Sequence, residues 1–293
     1  MNKPVKEPKL LLSAPMRIAL LLCVTFVCFF LVSLLAGVAT SWGENITTPK
    51  MRIIAIVQDV LVFIVPALAT ALMVTRIPAS LLCINKKLSL NTLALALLTM
   101  IAAVPALNII ITWNASIHLP ESMSGIETWF RAMENNASGN IEYILGGNSI
   151  GDLIMSLLIV GIAAGFSEEL FFRGALQRLL PSGMSGHQSA VWIAAIIFSC
   201  FHFQFFGFIP RLLLGAYFGY LLLWSGCLWL PVVAHILNNS IYVVNNWIAA
   251  REGLTTVAPG AEMPNSLQSW LLIVLSVALT ALGIYLTRRS TTH

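Results

Sequence analysis

Charge is what this sequence has least of. Asp, Glu, Lys and Arg together supply 10% of its 293 residues, against about 25% in an ordinary soluble domain. So little polar surface excludes a water-soluble fold. The 16 Lys and Arg residues and 12 Asp and Glu leave a net charge of +4, and the basic residues are scattered at segment ends rather than striped. That excludes a nucleic-acid binder. The five cysteines (Cys23, Cys28, Cys83, Cys200, Cys227) lie in or beside apolar stretches without metal-ligand spacing, so neither a disulfide scaffold nor a zinc site is expected. No His-Glu-x-x-His occurs, and neither do the matched broken helices of an inverted-repeat transporter.

Apolar residues, at 58%, fill the space that charge leaves. They fall into eight runs, at residues 18–40, 53–75, 88–113, 150–180, 189–206, 209–224, 227–248 and 267–287. Most have the roughly 20 residues that a membrane helix needs. The expected fold is all-α: a polytopic membrane helical bundle of about eight transmembrane helices, forming a single membrane domain over 1–293. The first run follows Lys3, Lys6, Lys9 and Arg17 and exceeds the apolar core of about 7–15 residues of a signal peptide, which favours a retained helix. Pro66 and Pro105 fall inside runs, where kinks are expected because neighbouring groups in a bundle can satisfy the freed carbonyls.

The segment 114–148 breaks the pattern with Glu121, Glu127, Glu134, Glu142 and several Asn and Ser. It reads as a polar extracytoplasmic loop, in which 126–133, with Trp129 and Phe130, forms a short interfacial helix. The N-terminal tail, the loop with Arg76, Lys86 and Lys87, and the tail with Arg288 and Arg289 are basic. Eight spans place them all on the cytoplasmic side, with both termini. The expected location is the plasma membrane, as a multi-pass protein. Asn45, Asn114 and Asn136 begin Asn-x-Ser/Thr triplets, a weak glycosylation signal.

Against this background Glu168, Glu169 and Arg173, in Ser-Glu-Glu-Leu-Phe-Phe-Arg, are out of place between two apolar stretches. Ionisable residues among membrane spans usually face a cavity and act there. Glu169 and Arg173, four apart, share a helix face and can pair, whereas Glu168 is turned about 100° from Glu169. Glu169 and Arg173 then support the site structurally, and Glu168 is free to accept a proton. By themselves the pair also read as a salt-bridged helix end. His202 follows Phe198 by four, and His235 precedes Asn239 by four. Alone, His202 reads as a packing residue and the His235 and Asn239 pair as interhelical hydrogen bonding. Together the three elements supply a base, a water-orienting imidazole and oxyanion donors, which water-driven amide hydrolysis requires.

The order Glu-Glu-x-x-x-Arg, Phe-x-x-x-His, His-x-x-x-Asn over 150–247 resembles the CAAX prenyl protease and bacteriocin-processing (Abi) family of intramembrane glutamic endopeptidases. The resemblance implies a catalytic core at 150–247, in which Glu168 activates water with help from His202, and His235 with Asn239 forms an oxyanion hole. It implies no metal, no cofactor and no covalent nucleophile. The expected partners are the lipid bilayer and a peptide or protein substrate, prenylated or a bacteriocin leader, with no nucleic acid. Two alternatives stay open: a metal-dependent membrane protease with Glu168, Glu169, His202 and His235 as ligands, and a non-catalytic membrane protein such as a self-immunity factor. Arg211 is read as snorkelling to the interface, Gly215 and Gly219 as a close-packing pair, and Gln58 and Asp59 are unassigned.

Overall fold

The periodicity of the apolar runs is realised as helices throughout. The structure, a computed structural model, describes residues 9–41, 47–181, 186–253 and 264–291, and contains no strand among them. Lys3, Lys6, Asn45, Ser182, Gly183 and His293 lie outside the described residues. Nine helices carry the argument: α1 (Ala14–Ser41), α2 (Thr48–Val74), α3 (Leu90–Ala115), α4 (Ser124–Leu145), α5 (Ile150–Gln177), α6 (Gln188–Cys200), α7 (Phe208–Ser225), α8 (Trp229–Arg251) and α9 (Leu267–Ser290).

Six of them, α1, α2, α3, α5, α7 and α9, are long and apolar enough to cross a membrane. The chain is therefore an all-α polytopic bundle and an integral membrane protein. The other two expected spans differ in instructive ways. Helix α6 has 13 residues, about 20 Å at 1.5 Å per residue, which is short of the ~30 Å hydrocarbon core. Helix α8 is long enough, but His235, Asn238, Asn239, Asn245 and Asn246 keep its apolarity down. Its ends are tied by indoles: Trp229 Nε1 donates to the Ile84 carbonyl at 2.9 Å, and Trp247 Nε1 to the Ser149 carbonyl at 3.0 Å.

Helix α5 is the centre of the bundle. It packs on α2, α6 and α8, with α1 outside α2 and α7 behind α6. The core runs through Val62, Phe63, Phe171, Phe172, Phe198, Leu228 and Val232. Its aromatic part is a set of tilted and edge-on rings, among them Phe172 on Phe198 at 5.2 Å between centroids. Gly161 and Gly165 let α8 close onto α5, since a Cβ on Gly165 would lie 3.1 Å from the Ile236 backbone nitrogen, and one on Gly161 would lie 2.9 Å from Ser240 Oγ. That approach brings the motif helices together.

Helices α3 and α9 form a separate pair at the periphery. Pro105 removes a backbone donor inside α3, and α9 braces the backbone on either side of it. Ser276 Oγ donates to the Ala102 carbonyl at 2.6 Å and accepts from the Ala106 N–H at 3.2 Å. This is how a proline is tolerated where water is absent. Ser276→Ala leaves two backbone groups unpaired, and the expected loss is about 1–3 kcal/mol of stability. Thermal unfolding in detergent checks it against Thr280→Ala, which removes only a bond to its own helix, to the Ser276 carbonyl.

The segment 114–148 is more ordered than expected. In place of a loop with a short helix, α4 runs for 22 residues, because nothing between Ser124 and Leu145 breaks it, and the helix has a polar face. Its start is fixed by Glu127, which accepts from the Leu119 N–H at 2.7 Å and from Arg131 Nη2 at 2.6 Å. Those bonds hold the Glu127 carboxyl down at about 2. Asn114 is buried, accepting from the Ile209 N–H at 2.7 Å and donating to the Phe205 carbonyl at 3.3 Å. Its triplet therefore has a structural use.

Several contacts gather the basic segments at one end of the bundle. Arg17 Nε donates to the Leu179 carbonyl at 2.7 Å, Cys227 Sγ lies 3.4 Å from the Lys86 carbonyl, and Ser290 Oγ bonds Thr92 Oγ1 at 3.1 Å. The polar helix α4 lies at the other end, where Arg52 of α2 reaches the Ile144 carbonyl at 2.9 Å and Asp152 at 3.2 Å.

Candidate active site

Glu168 and Glu169 sit on α5 just before a stretch, Leu170–Gln177, whose backbone is π-helical; a second such stretch, Leu157–Ala164, precedes them. π-helical turns are rare and concentrate at functional sites. Nothing in the spacing of the sequence announces them. In α2 a third, Asp59–Ile64, faces this part of α5.

Arg173 Nη1 donates to Glu169 Oε1 at 2.7 Å, with both side chains buried. Its Nη2 donates to the Gly215 carbonyl at 2.9 Å, and its guanidinium lies over the Phe198 ring, 4.4 Å from the centroid. One helical turn on, Gln177 Nε2 donates to the Gly219 carbonyl at 3.0 Å. Gly215 and Gly219 are thus the rungs by which α5 grips α7. A Cβ on Gly219 would meet Val191 and Gln177 at 2.8 Å, and one on Gly215 would meet Phe198 at 3.0 Å.

His235 joins the two glutamates. Its Nδ1 lies 2.8 Å from Glu169 Oε1, and its Nε2 lies 3.8 Å from Glu168 Oε2. A carboxylate only accepts, so Nδ1 carries the proton and donates to Glu169. The ring is stacked on Phe218 at 5.0 Å and meets Phe198 edge-on at 5.9 Å. Glu168 Oε2 is buried with no hydrogen-bond partner among the described residues, as is the second oxygen of Glu169, Oε2. A buried carboxylate oxygen left open in this way needs a polar group from a ligand or water.

His202 lies just past the end of α6, edge-on to the same Phe198 at 4.9 Å. Its Nδ1 is 2.9 Å from the Phe198 carbonyl. A carbonyl cannot donate, so Nδ1 donates to it, and Nε2 of the neutral ring is left as an acceptor. The next residue, Phe203, has φ 53°. A bulky residue in that left-handed region is strained, and such strain collects at functional sites.

The structure therefore brings Glu168, Glu169, Arg173 and His235 into one hydrogen-bonded and ionic cluster, with His202 held against it through Phe198. Asn239 is a turn of α8 away. Its Nδ2 donates to the Val160 carbonyl at 3.0 Å and its Oδ1 accepts from Asn238 at 3.3 Å. Among the described residues no hydrogen bond joins it to Glu168, His202 or His235, and one of its two N–H groups is engaged by α5. No three His, Cys, Asp or Glu side chains among the described residues are grouped to hold a metal ion.

Two residues belong to the site's surroundings although the sequence did not single them out for it. Asp59, buried at the start of the π-helical stretch of α2, lies beside Ser167 and within electrostatic reach of Glu168. Arg211 does not snorkel outward: Nη2 donates to Gln204 Oε1 at 2.6 Å and Nη1 to the Gly207 carbonyl at 3.5 Å, which turns it back onto the loop after His202. Polar Asp59 in an apolar run was a visible signal. Arg211 had none, because its direction is set by the tight turn after His202.

With this geometry in view, the comparisons are informative. Residues 150–241, the motif-bearing segment, match the family described as type II CAAX prenyl endopeptidase Rce1-like. An uncharacterized protein of Bacillus subtilis (strain 168), YpbD, is 26% identical over 118 residues, 39% of this chain and 56% of that protein. The match thus spans little more than half the length of that relative. No solved structure matches.

Proposed function

We propose that the protein is an intramembrane glutamic endopeptidase whose catalytic core is residues 150–247. The observation that supports it most is the open carboxylate oxygen of Glu168, buried among helices and facing His235 Nε2 in a segment of a prenyl endopeptidase family.

In the proposed reaction Glu168 takes a proton from water held between it and His202 Nε2. The water oxygen bonds to the substrate carbonyl carbon, and the proton on Glu168 then passes to the amide nitrogen as the C–N bond breaks. Because Nδ1 of His235 is committed to Glu169, His235 can donate to the tetrahedral oxyanion from Nε2 only as an imidazolium. Glu169 lies at Nδ1 to neutralise that charge, and Arg173 holds Glu169 in place. The free N–H of Asn239 is the second oxyanion donor. No step uses a metal, and Arg173 beside the glutamates opposes a bound cation.

The substrate class is a membrane-associated peptide, prenylated or not. With the basic ends cytoplasmic and residues 114–148 extracytoplasmic, the protein would sit in the cell membrane with both termini inside. The test is cleavage of lipid-anchored reporter peptides by the full-length protein in liposomes, with and without a chelator. Cleavage that persists under chelation supports the reading. Loss of cleavage that added metal restores overturns it in favour of a metal-dependent protease. No cleavage of any reporter, with intact cellular function in Glu168→Ala and His202→Ala, overturns it in favour of a non-catalytic protein.

A further inference from the structure

Arg211 is a cation in the wrong place for a membrane span unless something anionic comes to it. It begins the first turn of α7, four residues after Gly207 and nine after His202, and is partly buried. Its protein partners are neutral: Gln204 Oε1 at 2.6 Å and the Gly207 carbonyl at 3.5 Å. Glu168 and Glu134 act on it electrostatically, yet among the described residues no carboxylate forms an ion pair with it. Glu134 accepts from the Phe206 N–H at 3.2 Å. A guanidinium has five N–H groups, so three of them remain for a ligand.

The surroundings fix this side chain. Gly207 packs against it so closely that a Cβ there would lie 3.3 Å from Nη2. The loop itself is clamped by α4, through Phe130 stacked on Phe205 at 4.7 Å and Arg131 over the Phe206 ring at 4.1 Å. A planar fork held rigid, with donors to spare and no carboxylate paired to it among the described residues, is the geometry that recognises carboxylates. It lies one helical turn before Gly215, whose carbonyl accepts from Arg173 of the glutamate cluster, so a ligand on it lies close to that cluster.

We infer that Arg211, oriented by Gln204, binds a carboxylate of the substrate peptide close to the bond that is cut. The carboxylate is either the free C-terminus of the peptide or an acidic side chain near the cleavage site. This inference rests on the reading of the protein as an endopeptidase, and it makes Arg211 a specificity residue. A residue that merely stabilised the loop would favour no peptide over another.

The test measures binding and cleavage separately, on full-length protein in liposomes. One lipid-anchored peptide is prepared in three forms: free acid, C-terminal amide, and free acid with its acidic side chains near the cut replaced by amides. The parent protein is expected to bind one carboxylate form about tenfold or more tightly than its neutralised counterpart. Arg211→Gln is expected to abolish that preference, acting on KM rather than kcat, and Arg211→Lys to keep part of it. Which neutralised form loses affinity identifies the carboxylate. Equal affinity of the parent protein for all three forms overturns the inference, as does a preference that survives in Arg211→Gln. Carboxylate-dependent binding without any cleavage would support Arg211 as the anchor while sinking the endopeptidase reading, so the two fail separately.

Discussion

A Glu168→Gln variant is expected to fold like its parent and to cleave peptide about a hundred- to ten-thousand-fold more slowly, the range that a general base supplies. The substitution keeps the shape of the side chain and removes its capacity to take a proton from water. Little in the fold should respond, because Oε2 has no hydrogen-bond partner to lose and the ring nitrogen His235 Nε2 lies at 3.8 Å. The measurement is kcat in liposomes alongside the melting temperature in detergent. Full activity with Gln at this position would remove Glu168 from the role of base.

His202→Ala should fall in the same direction with a smaller loss, since in the proposed reaction it positions water rather than accepting its proton. The two losses should also combine less than additively, because groups acting on one water act as a unit. Asp59 sharpens the comparison. It is buried in a different helix within reach of Glu168, so it bears on the charge around the base without being able to replace it.

Much of this was legible in the sequence because it depends on local spacing. Glu169 and Arg173 are four apart on one helix and meet; Gly215 and Gly219 are four apart and admit a neighbouring helix. The all-α architecture followed from run lengths alone. What was not legible depends on where helices end and which way they turn. Helix α6 stops after 13 residues, so the turn that follows buries Phe206 and places Gln204 to hold Arg211. The five Asn and His residues of α8 look like a departure from a membrane span. His235 and Asn239 are accommodated because their side of the helix faces α5, where they meet Glu169 and the Val160 carbonyl across the gap that Gly161 and Gly165 leave. The π-helical turns have no compositional mark at all, being a backbone response to packing on both sides of α5. Asp59 was visible as an anomaly, but only the packing of α2 on α5 says which carboxylate it faces.

The largest effect on stability is expected at Arg173. It is fully buried, ion-paired to Glu169, bonded to the Gly215 carbonyl and set over Phe198. Arg173→Met leaves the Glu169 carboxylate in the core with only His235 to meet it. Breaking a buried pair from one side costs about 3–5 kcal/mol, because the surviving charge is stranded. Glu169→Gln strands Arg173 in turn and leaves His235 Nδ1 and Arg173 a neutral amide oxygen in place of the carboxylate they share. The double variant, Glu169→Gln with Arg173→Met, removes both charges, so its loss should be well below the sum of the two single losses. Denaturant unfolding in detergent micelles measures all three. Activity separates the partners further: with Glu169 intact, Arg173→Met should retain some turnover, whereas Glu169→Gln should remove the group that neutralises the His235 imidazolium. Strict additivity in the cycle would mean that the pair does not act as one unit, and that Glu169 serves His235 without needing Arg173.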